Sequence, residues 1–463
     1  MLRFGNFHVS RVIFALLLAD IGILYVSISV GYYASYANDL SVFQVFGDYA
    51  LQRCLFIGSV LAGMVTFRLY DRANIRDRKT LPTRLVSAYI FATAAAALAF
   101  FAFRIDVIFR SAFAFATVLS FLGIFALRWM APRLFNFKFW ERRILVLGCG
   151  PKAARIEELE AAHPGAFKVV GYFMTKTDED VDVAPNRIVH SDRAIWEVVD
   201  DRRAEEVVIA VEDKRGAIPM EQLLDCRMRG VKVLDYPTFI EQQTGKVELS
   251  GLTMSWLVHS QGFASSGWLR RKIKRCVDLA ASVILLVVTL PITLITALAI
   301  YCADRGPIFY RQTRVGADGR TFSIVKFRSM TVDAEADGVA KWASKADARV
   351  TPIGKFIRKT RIDEIPQILN VLRGEMSFIG PRPERPELVE EIAREIPFYK
   401  YRHYVKPGIT GWAQVNYPYG ASIEDAENKL KFDLYYLKNY SLFLDIFILF
   451  QTIRVVLGQA GAR

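Results

Sequence analysis

The sequence predicts three architectures in succession. A membrane α-helical N-terminal bundle comes first, then a Rossmann-like α/β domain, then a mixed, mainly α domain carrying a re-entrant membrane helix. Three observations predict this order. Four apolar segments fill the first third of the chain, and short β-branched runs alternate with helix-like stretches over residues 141–250. A single apolar run, Cys276–Ala303, then sits between two basic clusters with a proline near its middle. Composition agrees: 52% of the 463 residues are hydrophobic and 23% are charged, which suits membrane segments joined to soluble domains.

The N-terminal region, residues 1–140, contains the apolar segments Val12–Ala34, Ala50–Leu69, Leu85–Phe103 and Val107–Met130. Each is long enough to cross ~30 Å of hydrocarbon. The loop SYANDLSVFQVFGDY has two aspartates and no Lys or Arg, whereas the next holds Arg72, Arg76, Arg78, Lys79 and Arg84. The exit, RWMAPRLFNFKFWERR, is basic again. The positive-inside tendency therefore places the N terminus and everything from residue 140 onward in the cytoplasm. No A-x-A-like cleavage site interrupts the start, so the first span is expected to be retained. Asp20 lies inside that span, where a structural polar contact is favoured over a functional intramembrane acid.

Residues 141–250 supply the strand-like runs RRILVLGCG, FKVVGYF, EEVVIAV and VKVLDY, separated by stretches such as PKAARIEELEAA. That alternation predicts a small parallel sheet with helices. The first run leads into Gly148-Cys149-Gly150-Pro151-Lys152-Ala153, a worn G-x-G-x-x-A. Such glycines let a backbone and a helix N terminus approach a pyrophosphate. The second strand ends GYFMTK, however, without the ribose-binding acid expected about 20 residues on. A structural or regulatory module is favoured over a nucleotide site. The five cysteines form no C-x-x-C, and the five scattered histidines have no zinc spacing, so neither disulfides nor a structural zinc is expected.

A Ser/Gly-rich linker, 251–268, precedes the third domain, 269–463. As one straight helix the run 276–303 would be about 42 Å long, more than one crossing needs. It is flanked by Arg270, Arg271, Lys272, Lys274 and Arg275 before and by Arg305, Arg311, Arg314 and Arg320 after. A spanning helix would send the second cluster outside. A proline removes a helix hydrogen bond, so Pro291 is read as the break of a re-entrant helix that dips into the inner leaflet and returns. The alternative is a Pro-kinked fifth span. Near the end, SLFLDIFILFQTIRVVL suits either the interface or the core, the core being slightly favoured.

The net charge of +13 points to an anionic partner: nucleic acid, an anionic membrane surface or a phosphorylated substrate. Nucleic acid leaves the spans unexplained, so no nucleic-acid binding is expected. The charge is most concentrated around Asp363-Glu364-Ile365-Pro366, followed by QILNVLRG. This pattern predicts a helix starting at the dyad and ending at Gly374. The helix dipole with Arg358, Lys359 and Arg361 would keep both carboxylates ionised. An ionised aspartate held there can attack phosphorus, and its neighbour can ligate Mg²⁺. An isolated pair of acids would merely cap a helix; the surroundings change that. Gly380-Pro381-Arg382-Pro383 is a stiff turn presenting one guanidinium to phosphate oxygens. Arg314, Lys326 and Arg328 add cations on strand-like pieces, and KPGITGW adds a glycine-rich loop.

From about Leu269 to Arg463 the chain closely resembles bacterial polyprenyl-phosphate sugar-1-phosphate transferases. The matching words are KRCVDLAASVILLVVTLPI, GPIFYRQTRVG, FSIVKFRSM, GKFIRKTRIDEIPQILNVLRGEMSFIGPRPERPE and KPGITGWAQVNYPYG. The four spans and the α/β module resemble the long form that initiates exopolysaccharide synthesis, in the exosortase-associated branch. The resemblance implies transfer of sugar-1-phosphate from a UDP-sugar to undecaprenyl phosphate, releasing UMP. It assigns Asp363 as nucleophile of a covalent phosphosugar intermediate, Glu364 as Mg²⁺ ligand, Arg382 and Arg358 to phosphate, and Pro291 to the re-entrant break. It further implies a multi-pass protein of the bacterial cytoplasmic membrane, working with membrane lipids and polysaccharide assembly proteins. Oligomeric state stays open, with a homodimer one alternative, and no motif reports the sugar. Two competing readings are a membrane-tethered nucleotide-sugar dehydratase and a non-catalytic scaffold. The first would use Tyr172-x-x-x-Lys176, but that pair falls at a strand end where the chemistry needs a helix.

Overall fold

The structure, a computed structural model, describes residues 2–4, 7–9, 11–36, 50–67, 69–70, 80–102, 110–134, 141–163, 165–175, 181–190, 193–212, 218–249, 252, 254, 257, 262–263, 267–331, 349–418, 420 and 422–457. Arg72, Arg76, Arg78, Lys79, Lys176 and most of the predicted linker lie outside the described residues. The chain divides into two compact units, built chiefly from His8–Thr244 and from Gly245–Arg463.

Two short strands, β1 (Leu2–Phe4) and β2 (Phe7–Val9), open the chain. Helices α1 (Arg11–Tyr36), α2 (Ala50–Thr66), α3 (Leu81–Ala102) and α4 (Arg110–Leu134) then fall on the four apolar segments. Leu24, Ile28, Phe56, Val60, Leu85 and Ala112 form their shared core. Ile13–Ala34 and Ser111–Ala131 are long and apolar enough to cross a membrane, and α2 is a shorter apolar helix. Asp20 makes the structural contact expected of it. Its Oδ2 accepts from Arg128 Nη2 at 2.6 Å and from the Tyr70 hydroxyl at 2.9 Å.

The α/β part of this unit is a five-stranded parallel sheet in the order β5-β4-β3-β6-β7. Its strands are β3 (Arg142–Leu147), β4 (Phe167–Phe173), β5 (Ile188–Val189), β6 (Glu206–Ile209) and β7 (Lys232–Asp235). Period-two alternation sends Ile144 and Val146 to one apolar layer and Leu145 and Leu147 to the other. The helices are α5 (Pro151–Ala162), α6 (Ile195–Arg202), α7 (Met220–Met228) and α8 (Tyr236–Thr244). The strand order reverses at β3, where such sheets open a ligand crevice. Gly148 (φ +114°) lies against Ala210, whose carbonyl oxygen would be 3.0 Å from an added Cβ. Lys152 Nζ then reaches Val211 O at 3.3 Å and Glu212 at 3.1 Å. Tyr172 is fully buried on strand β4 and not on a helix.

The second unit opens with α9 (Trp268–Asp304). The expected break at Pro291 does not divide it: the helix continues through the proline, since the lost hydrogen bond is one among many. Ile284, Val287, Ile295 and Leu298 on it are more than half exposed, and by length and composition it is a candidate span. The antiparallel hairpin β8 (Phe309–Val315) and β9 (Thr321–Phe327) follows, with Tyr310 opposite Lys326. Then come α10 (Pro352–Lys359), a 3₁₀ turn (Ile362–Gln367) and α11 (Ile368–Arg373). Strand β10 (Ser377–Ile379) pairs in parallel with β11 (Gly408–Thr410). Between them lie α12 (Pro386–Glu395) and a second 3₁₀ turn (Tyr399–Tyr404). Helices α13 (Trp412–Asn416), α14 (Ile423–Lys438) and α15 (Leu442–Leu457) complete the unit. Its main core gathers Ile392, Leu430, Leu434, Tyr436, Leu444 and Ile448. Helix α15 serves both readings of its sequence: Leu444 and Ile448 are buried, while Leu442, Phe443, Ile446 and Leu449 are exposed.

Candidate active site

The dyad lies in the first turn of a 3₁₀ helix, Ile362–Gln367, which runs directly into α11: helical structure does start at the dyad as expected, but in 3₁₀ and not α form. Arg361 causes the difference. It adopts the left-handed region at φ +60° and turns the chain sharply after α10, so Asp363 and Glu364 tuck inward and cap no helix. Helix α11 ends at Gly374 (φ +85°), as the sequence predicted.

Three anchors fix this turn. Asn370 Oδ1 accepts from Val325 N at 3.0 Å and its Nδ2 donates to Ser323 O at 2.8 Å, fastening α11 to the edge of β9. Arg275, at the foot of α9, donates to the carbonyls of Val371 and Leu372, taking up two C-terminal acceptors of α11. Asp278 accepts from Ser377 Oγ at 3.0 Å and Phe378 N at 3.2 Å, joining α9 to β10. The dyad is thus tied to the base of the apolar helix.

Both carboxyl groups are buried, Asp363 at 8% exposure and Glu364 at 9%. Their environments differ. Glu364 Oε1 receives Lys326 Nζ at 3.3 Å and Arg382 Nη2 at 3.2 Å, with Arg361 Nη1 at 3.7 Å. Asp363 Oδ1 is buried with no hydrogen-bond partner. Burying an ion costs several kcal/mol. Each opposite charge about 4 Å away returns on the order of 4 kcal/mol at an effective dielectric near 20. Burial alone would raise Glu364, but Lys326, Arg382 and Arg361 outweigh it and hold the group down at about 2. For Asp363, burial and then the Glu364 charge raise the pKa, and Lys326, Arg361 and Arg358 only partly oppose them. The cations expected to favour both ionised acids act unequally: burial raises both carboxyls, and the charges that converge on Glu364 bring it down while Asp363 stays raised.

The other predicted residues separate into two groups. Lys326 and Arg382 meet at Glu364, and Arg358 adds positive potential at Asp363 while donating Nε to Ser329 Oγ at 2.9 Å. Arg328 instead pairs with Asp304 at the C-terminal end of α9. Arg314 donates to Pro383 O at 3.1 Å, bracing the Gly-Pro-Arg-Pro turn. That turn is built on close backbone approach. A Cβ on Gly380 would lie 2.2 Å from Lys406 O, and one on Gly408 would lie 2.1 Å from Gly380 N. Sequence reasoning left Arg361 and Arg402 out of the candidate site residues. Arg402 is 4% exposed and donates to Asp433, Tyr399 and Arg382 O; nothing local to it announces those partners.

A metal would find only part of a site. Among the described residues no group of three or more His, Cys, Asp or Glu side chains could hold one. The adjacent carboxylates and the unpartnered Asp363 Oδ1 suit Mg²⁺ only as one or two ligands completed by water and phosphate oxygens, which is how that ion is commonly held.

These features define a membrane-associated protein whose second unit holds a buried carboxylate pair among four cations. Residues 269–459 match the bacterial sugar transferase family model. A UDP-N-acetylgalactosamine-undecaprenyl-phosphate N-acetylgalactosaminephosphotransferase of Aeromonas hydrophila is 42% identical over 282 residues, 60% of this chain and 66% of its own. A UDP-glucose:undecaprenyl-phosphate glucose-1-phosphate transferase of Xanthomonas campestris pv. campestris is 34% identical, with 69% of this chain and 68% of the relative covered. An uncharacterised sugar transferase of Bacillus subtilis is 41% identical over 41% of this chain and 90% of the relative. The chain belongs to the bacterial sugar transferase family. It spans less than two thirds of the length of several curated relatives it matches, 50%, 40% and 58% in three of them.

Proposed function

We propose that this protein transfers sugar-1-phosphate from a UDP-sugar to undecaprenyl phosphate, releasing UMP, and so starts an exopolysaccharide or capsule chain at the cytoplasmic membrane. The observation that carries the reading is the buried Asp363 carboxylate, whose Oδ1 has no partner, beside Lys326, Arg358 and Arg361, with Arg382 on the adjacent Glu364. Four cations against two acids leave a positive excess suited to a pyrophosphate.

In the first displacement an Asp363 oxygen attacks the phosphorus bearing the sugar. The bond to the bridging oxygen breaks, and UMP leaves with its electron pair. In the second, an oxygen of undecaprenyl phosphate attacks the same phosphorus and the aspartate is released. Lys326, Arg361 and Arg382 offset the charge of the donor's phosphates. Glu364, held as the anion, would bind Mg²⁺, which supplies further charge neutralisation at the diphosphate. Splitting the transfer lets a water-soluble donor depart before a lipid acceptor enters.

The re-entrant reading of α9 draws support from its two ends. Arg275 near the start bonds α11, and Asp304 at the end pairs with Arg328 next to β9, so one soluble unit engages both. A helix that crosses the bilayer has its ends on opposite sides. A dip that returns requires the continuous helix to bend, with Pro291 as the point where it would do so, and would set the dyad at the depth of a polyprenyl phosphate head group.

The test supplies purified protein with Mg²⁺, undecaprenyl phosphate and a panel of UDP-sugars, and measures UMP. Turnover with at least one sugar is expected, and Asp363→Asn should abolish it. Intact-mass analysis without acceptor should show a phosphosugar adduct on Asp363. Retained turnover in Asp363→Asn rejects the nucleophile.

A further inference from the structure

Arg382 can act on a phosphate only if its backbone is held still, and the structure shows how that is done. Four consecutive carbonyls, Pro381 to Glu384, each accept one hydrogen bond. Pro381 O accepts from Gly408 N at 2.9 Å and Glu384 O from Val315 N at 2.9 Å, both backbone donors. Pro383 O accepts from Arg314 at 3.1 Å. Arg382 O accepts from Arg402 Nη2 at 3.0 Å. The prolines on either side fix their own φ angles, so the residue between them has little backbone freedom left.

Arg402 is an unusual strut, because a buried charge serves where a backbone amide would do. Asp433 Oδ2 takes its Nε at 2.9 Å and the Tyr399 hydroxyl takes Nη1 at 3.0 Å, so all three arms are engaged. The guanidinium lies over the Tyr399 ring at 5.1 Å. Asp433 is 1% exposed on α14, a helix anchored in the main core. The chain of support runs from α14 through Asp433 and Arg402 to Arg382 O, and through the Arg382 side chain to Glu364. Removing either buried charge would strand the other, so the pair tolerates little movement.

We infer that Arg402 is a positioning residue that sets the Arg382 guanidinium for the donor's diphosphate, acting through Arg382 and not by touching substrate. This rests on the phosphate-transfer reading of the site. Arg402→Lys keeps a cation beside Asp433 but removes the fork that reaches Arg382 O. Tyr399→Phe keeps the ion pair and loosens one arm, and serves as the milder variant if the first fails to fold.

Binding of UDP to the full chain in detergent with Mg²⁺ is the measurement, alongside thermal unfolding. Arg402→Lys should weaken UDP binding by about tenfold, the loss that accompanies one weakened charge-assisted contact. Tyr399→Phe should weaken it less. In an Arg382→Ala background neither change should weaken it further, because the route from Arg402 to the ligand is gone. Losses that multiply in that background, or unchanged UDP binding in folded Arg402→Lys and Tyr399→Phe, overturn the role of Arg402 alone. If the unaltered protein does not bind UDP, the donor assignment falls and takes this inference with it.

Discussion

Asp363 and Glu364 share a turn yet respond to their surroundings in opposite senses, because the nearest cations bond Glu364 and oppose the burial of Asp363 only in part. The pair was legible in the sequence because two acids stood among arginines. The split was not, since it depends on which oxygen Lys326 and Arg382 reach after folding. A second titratable group in this unit makes a pH prediction. His403 is nine-tenths buried, and burial first, then the adjacent Arg402 charge, lower its pKa from 6.5 to about 4. Above the ordinary value both folded and unfolded chains carry it neutral. As pH falls from 6.5 towards 4 the unfolded chain binds a proton that the folded one refuses, so stability declines across that window. Unfolding temperatures at neutral and mildly acidic pH should show this slope, and His403→Gln should flatten it if the protein folds. A slope unchanged by the substitution would assign the acid sensitivity elsewhere.

The elements best read from sequence were those with strong periodicity: the four N-terminal helices, the parallel strands and α9. Asp-Glu-x-Pro does open a helical run, but its first turns are 3₁₀ and follow the left-handed Arg361, which the sequence pattern alone does not announce. The proline in α9 was read as a break, yet the helix runs on. Local preference loses in both places to what the neighbouring elements require. The Gly-Pro-Arg-Pro loop shows the reverse, a local signal that tertiary structure makes obligatory. Gly380 and Gly408 let two backbones touch where no side chain fits. Gly380→Ala should therefore destabilise the second unit by roughly 1–3 kcal/mol, in the range of overpacked sites. Chemical denaturation of the purified protein measures this, and an unchanged midpoint would mean that the contact yields.

At the scale of the whole molecule, the proposed re-entrant reading puts both ends of α9 on one side of the bilayer. Nature has placed exposed thiols near both ends, Cys276 and Cys302. With Cys54 replaced, a membrane-impermeant maleimide added to intact cells should label neither, and permeabilisation should expose both together. Labelling of Cys302 from outside would make α9 a true span and remove the structural ground for a dipping helix. One further consequence follows from the ties of Arg275 and Asp278 to α11 and β10. Because the Asp363 turn is tied to the foot of the apolar helix α9, any tilt of that helix would swing the carboxylate as well. On the proposed re-entrant reading, the thickness and lateral tension of the surrounding lipid would then become a mechanical input to the proposed reaction.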